Sequence, residues 1–190
     1  MSDESVRVLL DSDTPLVVIE APAGCGKTFQ GAHYASRVAS RLKSGRVLIV
    51  THTHAACAAF AATTRKVSGQ VEIRTIDSLI VQIASAYHRS LGLPPDPGSW
   101  ATMQREGGYT TLATRTAALL SHHPKIAAAL ARRYPVVIAD EHQDSTTQQH
   151  AIIMALHKAG AHLRIFGDPM QCIFDRVNTA ADQTRWNSLR

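Results

Sequence analysis

Short apolar runs alternate along the chain with longer stretches that have helical spacing. Five runs stand out: Leu16–Ile19, Val47–Val50, Val71–Ile73, Val136–Ala139 and Leu163–Phe166. They are rich in β-branched residues and mostly lack polar alternation, the pattern of strands buried on both faces. Between them, residues 29–42, 55–65, 78–91, 125–133 and 148–158 read as helices. Strands alternating with helices predict an α/β fold, a parallel sheet with helices on both faces. The longest gap between strands, 80–134, contains LGLPPDPGSW, whose prolines and glycines interrupt any helix. It is expected to form a small, mostly helical insertion within a single domain spanning 1–190.

Polar clusters follow the apolar runs at regular points. APAGCGKT comes after the first run, THTH after the second, TIDS after the third, DEHQD after the fourth and GDPMQ after the fifth. In an open parallel sheet, ligands bind beyond the carboxyl ends of the strands. All five clusters are therefore expected along one edge of the sheet.

The first cluster nearly satisfies the phosphate-loop pattern G-x-x-x-x-G-K-[ST], with Ala21 in place of the first glycine. Ala21, Pro22, Ala23, Gly24, Cys25, Gly26, Lys27 and Thr28 form the candidate ATP-binding loop. Gly24 and Gly26 allow successive backbone N–H groups to turn inward as an anion nest, and the following helix adds its N-terminal dipole. Lys27 is expected to reach the β- and γ-phosphates, and the Thr28 hydroxyl to bind Mg²⁺.

VVIADEHQD, residues 136–144, ends an apolar run in two adjacent carboxylates. A strand-to-helix junction needs a cap, for which Asp144 or Ser145 is suited, but a cap leaves Asp140 and Glu141 without a reason. Magnesium on a nucleotide is held by few carboxylates, and Asp140 can supply one. In an extended segment the next side chain points the other way. Glu141 is then placed to orient or deprotonate the water that attacks the γ-phosphate.

Composition narrows the setting. The chain is 45% apolar and 18% charged, with a formal charge of +5. This suits a globular domain with a mild preference for polyanions. Three cysteines without a CxxC pair fit a reducing compartment. The acidic start has no apolar signal core and no run is long enough to span a bilayer, so a cytoplasmic location without membrane association is expected.

APAGCGKT, VTHTHAA, TIDSL, IADEHQDSTTQ and IFGDPMQCIF occur in this order, and together they resemble the amino-terminal motifs of superfamily 1 DNA helicases of the UvrD/Rep/PcrA and RecB type. The resemblance spans roughly residues 16–177. It implies a P-loop NTPase with a RecA-like sheet, ATP and Mg²⁺ as cofactors, and single-stranded DNA as partner, tracked 3′ to 5′. Carried over by position, it implies catalytic roles for Lys27, Asp140, Glu141 and Gln171, with Gln171 sensing the γ-phosphate. Thr28 and Asp140 take Mg²⁺. Thr51, Thr53, Thr75, Phe174 and Arg176 fall at strand-contacting positions. Gln143 matches the glutamine of D-E-x-Q-D.

Several positions depart from the family pattern. His52 replaces a common Phe, His54 a common Asn and Asp77 a common His, and Val177 stands where an arginine is usual. No glutamine precedes residue 30, so the usual adenine-reading group is missing. The chain ends at Arg190, ahead of the family's second RecA-like domain. Arginine fingers are worth about 10³ to 10⁵ in rate in related phosphoryl transfers. The resemblance therefore implies a helicase-type ATPase that is weak or inactive alone, completed by a second RecA-like domain or partner subunit. A nucleotide-dependent binding switch without unwinding is the alternative. A small-molecule kinase fits less well, because it needs an acceptor site instead of a water-orienting glutamate and a sensor glutamine.

Overall fold

A computed structural model describes residues 3–22, 24–104 and 106–168. The elements run α1 (Asp3–Leu10), β1 (Leu16–Glu20), α2 (Lys27–Ala39), β2 (Val47–Thr51), α3 (His54–Thr64), β3 (Val71–Thr75) and α4 (Ile76–Ala86). They continue through α5 (Pro97–Met103), α6 (Gly108–His122), α7 (Pro124–Arg133), β4 (Val136–Ala139), α8 (Thr147–Lys158) and β5 (His162–Gly167). Each apolar run is a strand. The stretch 80–134 holds most of α4 followed by α5, α6 and α7, with Asp96 capping α5 through the Ser99 N–H and Pro97 opening it.

All strand pairs are parallel, in the order β1-β5-β4-β2-β3. β2 is buried along its whole length, and its side chains part to the two faces. Val47 and Ile49 pack with Leu10, Tyr34, Ala35 and Phe60, from α1, α2 and α3. Leu48 and Val50 pack on the other face with residues from α4, α6 and α8, including Leu79, Leu112 and Ile152. Each of the valine, leucine, isoleucine and phenylalanine side chains among these contributes on the order of 1.5–3 kcal/mol by leaving water. This is the α/β, RecA-like arrangement of a P-loop protein. No described helix is long and apolar enough to cross a membrane.

β5 inserts between β1 and β4, which sets the phosphate loop and the acidic turn one strand apart. Helix α2 lies over β5, with Gly31 at the point of approach. A Cβ there would meet the rings of Phe166 and Phe60 at 3.4 Å. The register brings Ala139 beside Val50 and Ile165, and Thr51 beside Thr75, so the carboxyl ends of the strands share one edge.

β5 carries one feature hidden by its apolar pattern. Arg164 is buried, and its guanidinium donates to the carbonyls of Leu10, Ser12 and Thr14 at 3.0, 2.9 and 2.8 Å. It also lies 5.4 Å from the centroid of the Tyr34 ring. This one side chain ties α1 and the loop before β1 to the sheet. Arg164→Met keeps the volume but leaves those carbonyls without a donor. It is expected to cost about 2 kcal/mol, a fall in Tm of roughly 4–8 °C by calorimetry.

Candidate active site

The loop between β1 and α2 turns at Gly24 and Gly26, both with φ of 76°. That left-handed conformation is open to glycine without strain, and a Cβ at either residue would meet nothing within 4 Å. The loop thus presents an open cradle with Gly26 as the N-cap of α2. Lys27 is only 5% exposed. Its Nζ curls back to donate to the carbonyls of Ala21 and Pro22, at 2.9 and 3.2 Å, and lies 3.8 Å from Glu141 Oε1.

The acidic turn meets this loop. Thr28 Oγ1 donates to Asp140 Oδ2 at 3.2 Å, across 112 residues of sequence. Asp140 is 2% exposed, and its Oδ1 is buried without a hydrogen-bond partner among the described residues. Burial, reinforced by the charge of Glu141, pushes its pKa up to about 6, against the opposing pull of Thr28 and Lys27. A buried carboxylate with an orphaned oxygen next to a threonine hydroxyl has the donor set of a divalent cation site, and Mg²⁺ fits it. Burial likewise raises the pKa of Asp144, with Glu141 adding to the effect.

Glu141 reaches its place by a different route from the one expected. The extended alternation predicted for residues 140–141 does not occur: Glu141 has φ 49° and ψ 44°, the one non-glycine residue with positive φ among the described residues. β4 stops at Ala139, and a 3-10 turn over His142–Asp144 follows at once, so the chain folds back before a pleat can form. Gln143 holds the glutamate in this conformation. Its Nε2 donates to Glu141 Oε2 at 2.8 Å, and its Oε1 accepts the N–H of Asp168 at 3.0 Å. The acidic turn is thereby tied to the end of β5. Sequence reasoning placed Gln143 in a motif without a role, because the strand order that brings β5 alongside is not visible in one dimension.

The helix cap also differs from expectation. Neither Asp144 nor Ser145 caps α8; Thr146 does, in a capping box with Gln149. The pattern T-x-x-Q was available in the sequence as its signal. Gln149 further donates to Asp77 Oδ1 at 2.9 Å, joining α8 to α4.

The candidate strand contacts divide. Thr53 and Thr75 are the N-caps of α3 and α4, accepting from Ala56 N–H and Ser78 N–H at 3.1 and 3.2 Å. Thr51 is buried and donates to the Thr53 carbonyl at 3.0 Å, so it shapes the turn below them. Beside β2 and β3 lies a cavity of about 810 Å³ lined by His52, Thr53, His54, Arg74, Thr75 and Tyr109, among others. Two helix N-termini favour an anion there, whereas Asp77, which also lines the cavity, opposes one and Arg74 is paired with Glu72. Tyr109, 43% exposed and contributed by α6, was not anticipated. Ala23, Gln171, Phe174 and Arg176 lie outside the described residues.

Residues 99–179 match the family profile described as UvrD/REP helicase N-terminal domain. The match runs from α5 through the acidic turn and β5 and includes GDPMQ. No curated protein matches the chain.

Proposed function

We propose that this chain contains the N-terminal domain of a UvrD-like helicase, binds ATP with Mg²⁺, hydrolyses it, and couples that cycle to single-stranded DNA. The observation that carries the reading is the meeting of Thr28 with buried Asp140, whose second oxygen has no hydrogen-bond partner among the described residues. A carboxylate destabilised in this way is retained where a cation repays its burial.

Lys27 exchanges the Ala21 and Pro22 carbonyls for phosphate oxygens when nucleotide enters the cradle. Thr28 and Asp140 hold Mg²⁺, with Ala21, Pro22, Ala23, Gly24, Cys25 and Gly26 forming the loop around the phosphates. When bound, the metal neutralises charge on the phosphate oxygens. Glu141 accepts a proton from the attacking water while Gln143 holds its Oε2. Gln171 senses the γ-phosphate from the segment after β5. The strand backbone lies in the cavity beside Thr53 and Thr75, while Phe174 and Arg176 stack on bases. A second RecA-like unit supplies the arginines that complete the transition state, and the protein works in the cytoplasm, moving 3′ to 5′ on its strand.

Two titrations on one preparation test the reading: a fluorescent ATP analogue with Mg²⁺, and a labelled oligothymidylate. Lys27→Ala is expected to weaken nucleotide binding by roughly 10- to 100-fold, the worth of a charge-assisted hydrogen bond to phosphate. Unchanged affinity would sink the phosphate-loop assignment. Oligonucleotide affinity is expected to fall linearly with salt on logarithmic axes, since phosphate contacts release counterions. A flat salt dependence would remove the strand from the cavity. Nucleotide binding without turnover, with or without DNA, would leave a switch in place of a motor.

A further inference from the structure

The amino ends of the strands carry a charge pattern that the nucleotide edge does not use. Arg41, Lys43 and Arg46 lie between α2 and β2, and Arg65 and Lys66 between α3 and β3. Arg132 and Arg133 close α7, just ahead of β4. All seven are exposed. Because β4, β2 and β3 are neighbours in the sheet, the three segments form a row about 10 Å across, two strand spacings. Backbone hydrogen bonds join them: Arg46 N–H donates to the Arg133 carbonyl at 2.8 Å, and Val47 N–H to the Gln70 carbonyl at 2.9 Å.

One carboxylate meets this row. Glu72, on β3, accepts from Arg46 Nη1 at 3.4 Å, Arg74 Nε at 2.6 Å and Arg133 Nη2 at 3.2 Å. A single negative charge cannot neutralise three guanidiniums, each with a fork of N–H donors. Glu72 therefore aligns the arginines and leaves donors and positive charge over, with Arg46 and Arg133 half-exposed. Arg41, Lys43, Arg65, Lys66 and Arg132 make no ion pair among the described residues. Asp11 and Asp13, which precede β1, stand at the opposite end of the strand order. A helix dipole favours cations in the last turn of α7, but Lys43 and Arg46 stand beyond the end of α2.

The chemistry of this face selects its partner. A protein interface is built around a desolvated apolar or aromatic centre. None of the exposed large apolar side chains among the described residues falls in these segments. Single strands are gripped largely through bases stacked on aromatic rings, and Tyr134, the one aromatic residue in the segments, is buried. Guanidinium and ammonium groups without stacking platforms suit closely spaced phosphates, which a duplex presents most densely. We propose that the amino edge of the sheet is a second nucleic-acid surface, which takes the phosphate backbone of a duplex without regard to sequence. It does not depend on the strand cavity. β2 is five residues long, so this surface lies about 17 Å from the nucleotide edge, and a duplex held there leaves the phosphate loop open.

Anisotropy of a labelled blunt-ended DNA duplex, titrated with the full chain from low salt upward, tests the assignment. Wild-type affinity is expected to fall linearly with salt on logarithmic axes. Lys43→Gln combined with Lys66→Gln, surface changes of a kind that leave stability nearly unmoved, is expected to weaken duplex binding roughly tenfold and to lower the salt slope by about two. Arg7→Gln combined with Lys125→Gln removes the same charge from α1 and from the start of α7, and is expected to leave both quantities near wild type. Unchanged duplex affinity in the first pair, or an equal loss in both pairs, overturns the proposal, as does a duplex that fails to bind at low salt. Polyglutamate that displaces the duplex at equal charge concentration also overturns it, in favour of an acidic protein partner. Binding of an ATP analogue is expected to be the same in all three proteins, so that failure of this surface and failure of the nucleotide reading stay distinct.

Discussion

Glu141→Gln is expected to lower ATP turnover by roughly 10²- to 10⁴-fold while nucleotide affinity stays within a few-fold of wild type. The amide matches the carboxylate in shape, and its oxygen can still accept from Gln143 Nε2, which now donates to Glu141 Oε2 at 2.8 Å. What disappears is the base. The loss of charge also acts on a neighbour: Glu141 is second only to burial in raising the pKa of Asp140. With that repulsion gone, Asp140 ionises more readily, so the variant's hold on Mg²⁺ is not weakened. Steady-state hydrolysis with and without single-stranded DNA, beside an equilibrium titration with an ATP analogue, separates the two quantities. Turnover that survives the substitution would mean that another group handles the water.

Asp140→Asn is expected to stabilise the metal-free protein at neutral pH while removing Mg²⁺-dependent nucleotide binding. Asp140 has a folded-state pKa of about 6 against an ordinary value of 3.8. Its ionisation therefore opposes folding. Below the ordinary value the group is protonated in folded and unfolded chains alike, and no penalty exists. As pH rises from there to about 6 the unfolded chain ionises first, and stability falls by about 3 kcal/mol in all, then levels off. Asparagine is never ionised and escapes that loss. Thermal unfolding without metal is expected to show the variant more stable by roughly 6–12 °C at pH 7.5, with the difference shrinking steadily as pH falls and vanishing once it lies well below the ordinary value. Adding Mg²⁺ and nucleotide is expected to raise the wild-type Tm only. A variant no more stable than wild type at neutral pH would show that Asp140 is not strained by its burial, and the argument for a cation there would lose its main support.

Much of the site was legible along the chain because its chemistry follows from residues close in sequence. Gly24, Gly26, Lys27 and Thr28 lie within five positions. A loop that short has few ways to fold between a strand and a helix. Asp140 and Glu141 stood out because carboxylates at the tip of a buried strand have no packing role. Thr53 and Thr75 are caps as well as candidate contacts, and the local threonine signal covers both uses. The exception among local readings was Glu141. Its left-handed backbone contradicts the preference of its residue type, and the Gln143 bridge to Asp168 helps to hold it.

The sequence by itself determined the kind of fold and the edge where the chemistry gathers, since the apolar periods and the polar clusters after each strand are local properties of the chain. It could not order the strands. That β5 separates β1 from β4, that Arg164 reaches back to Leu10, Ser12 and Thr14, and that His52 meets Ser145 across 93 residues were decided by packing. The physical reason is the same in each case. A buried polar group must find a partner once water is gone, and which partner it finds depends on which elements the closed core has brought alongside it.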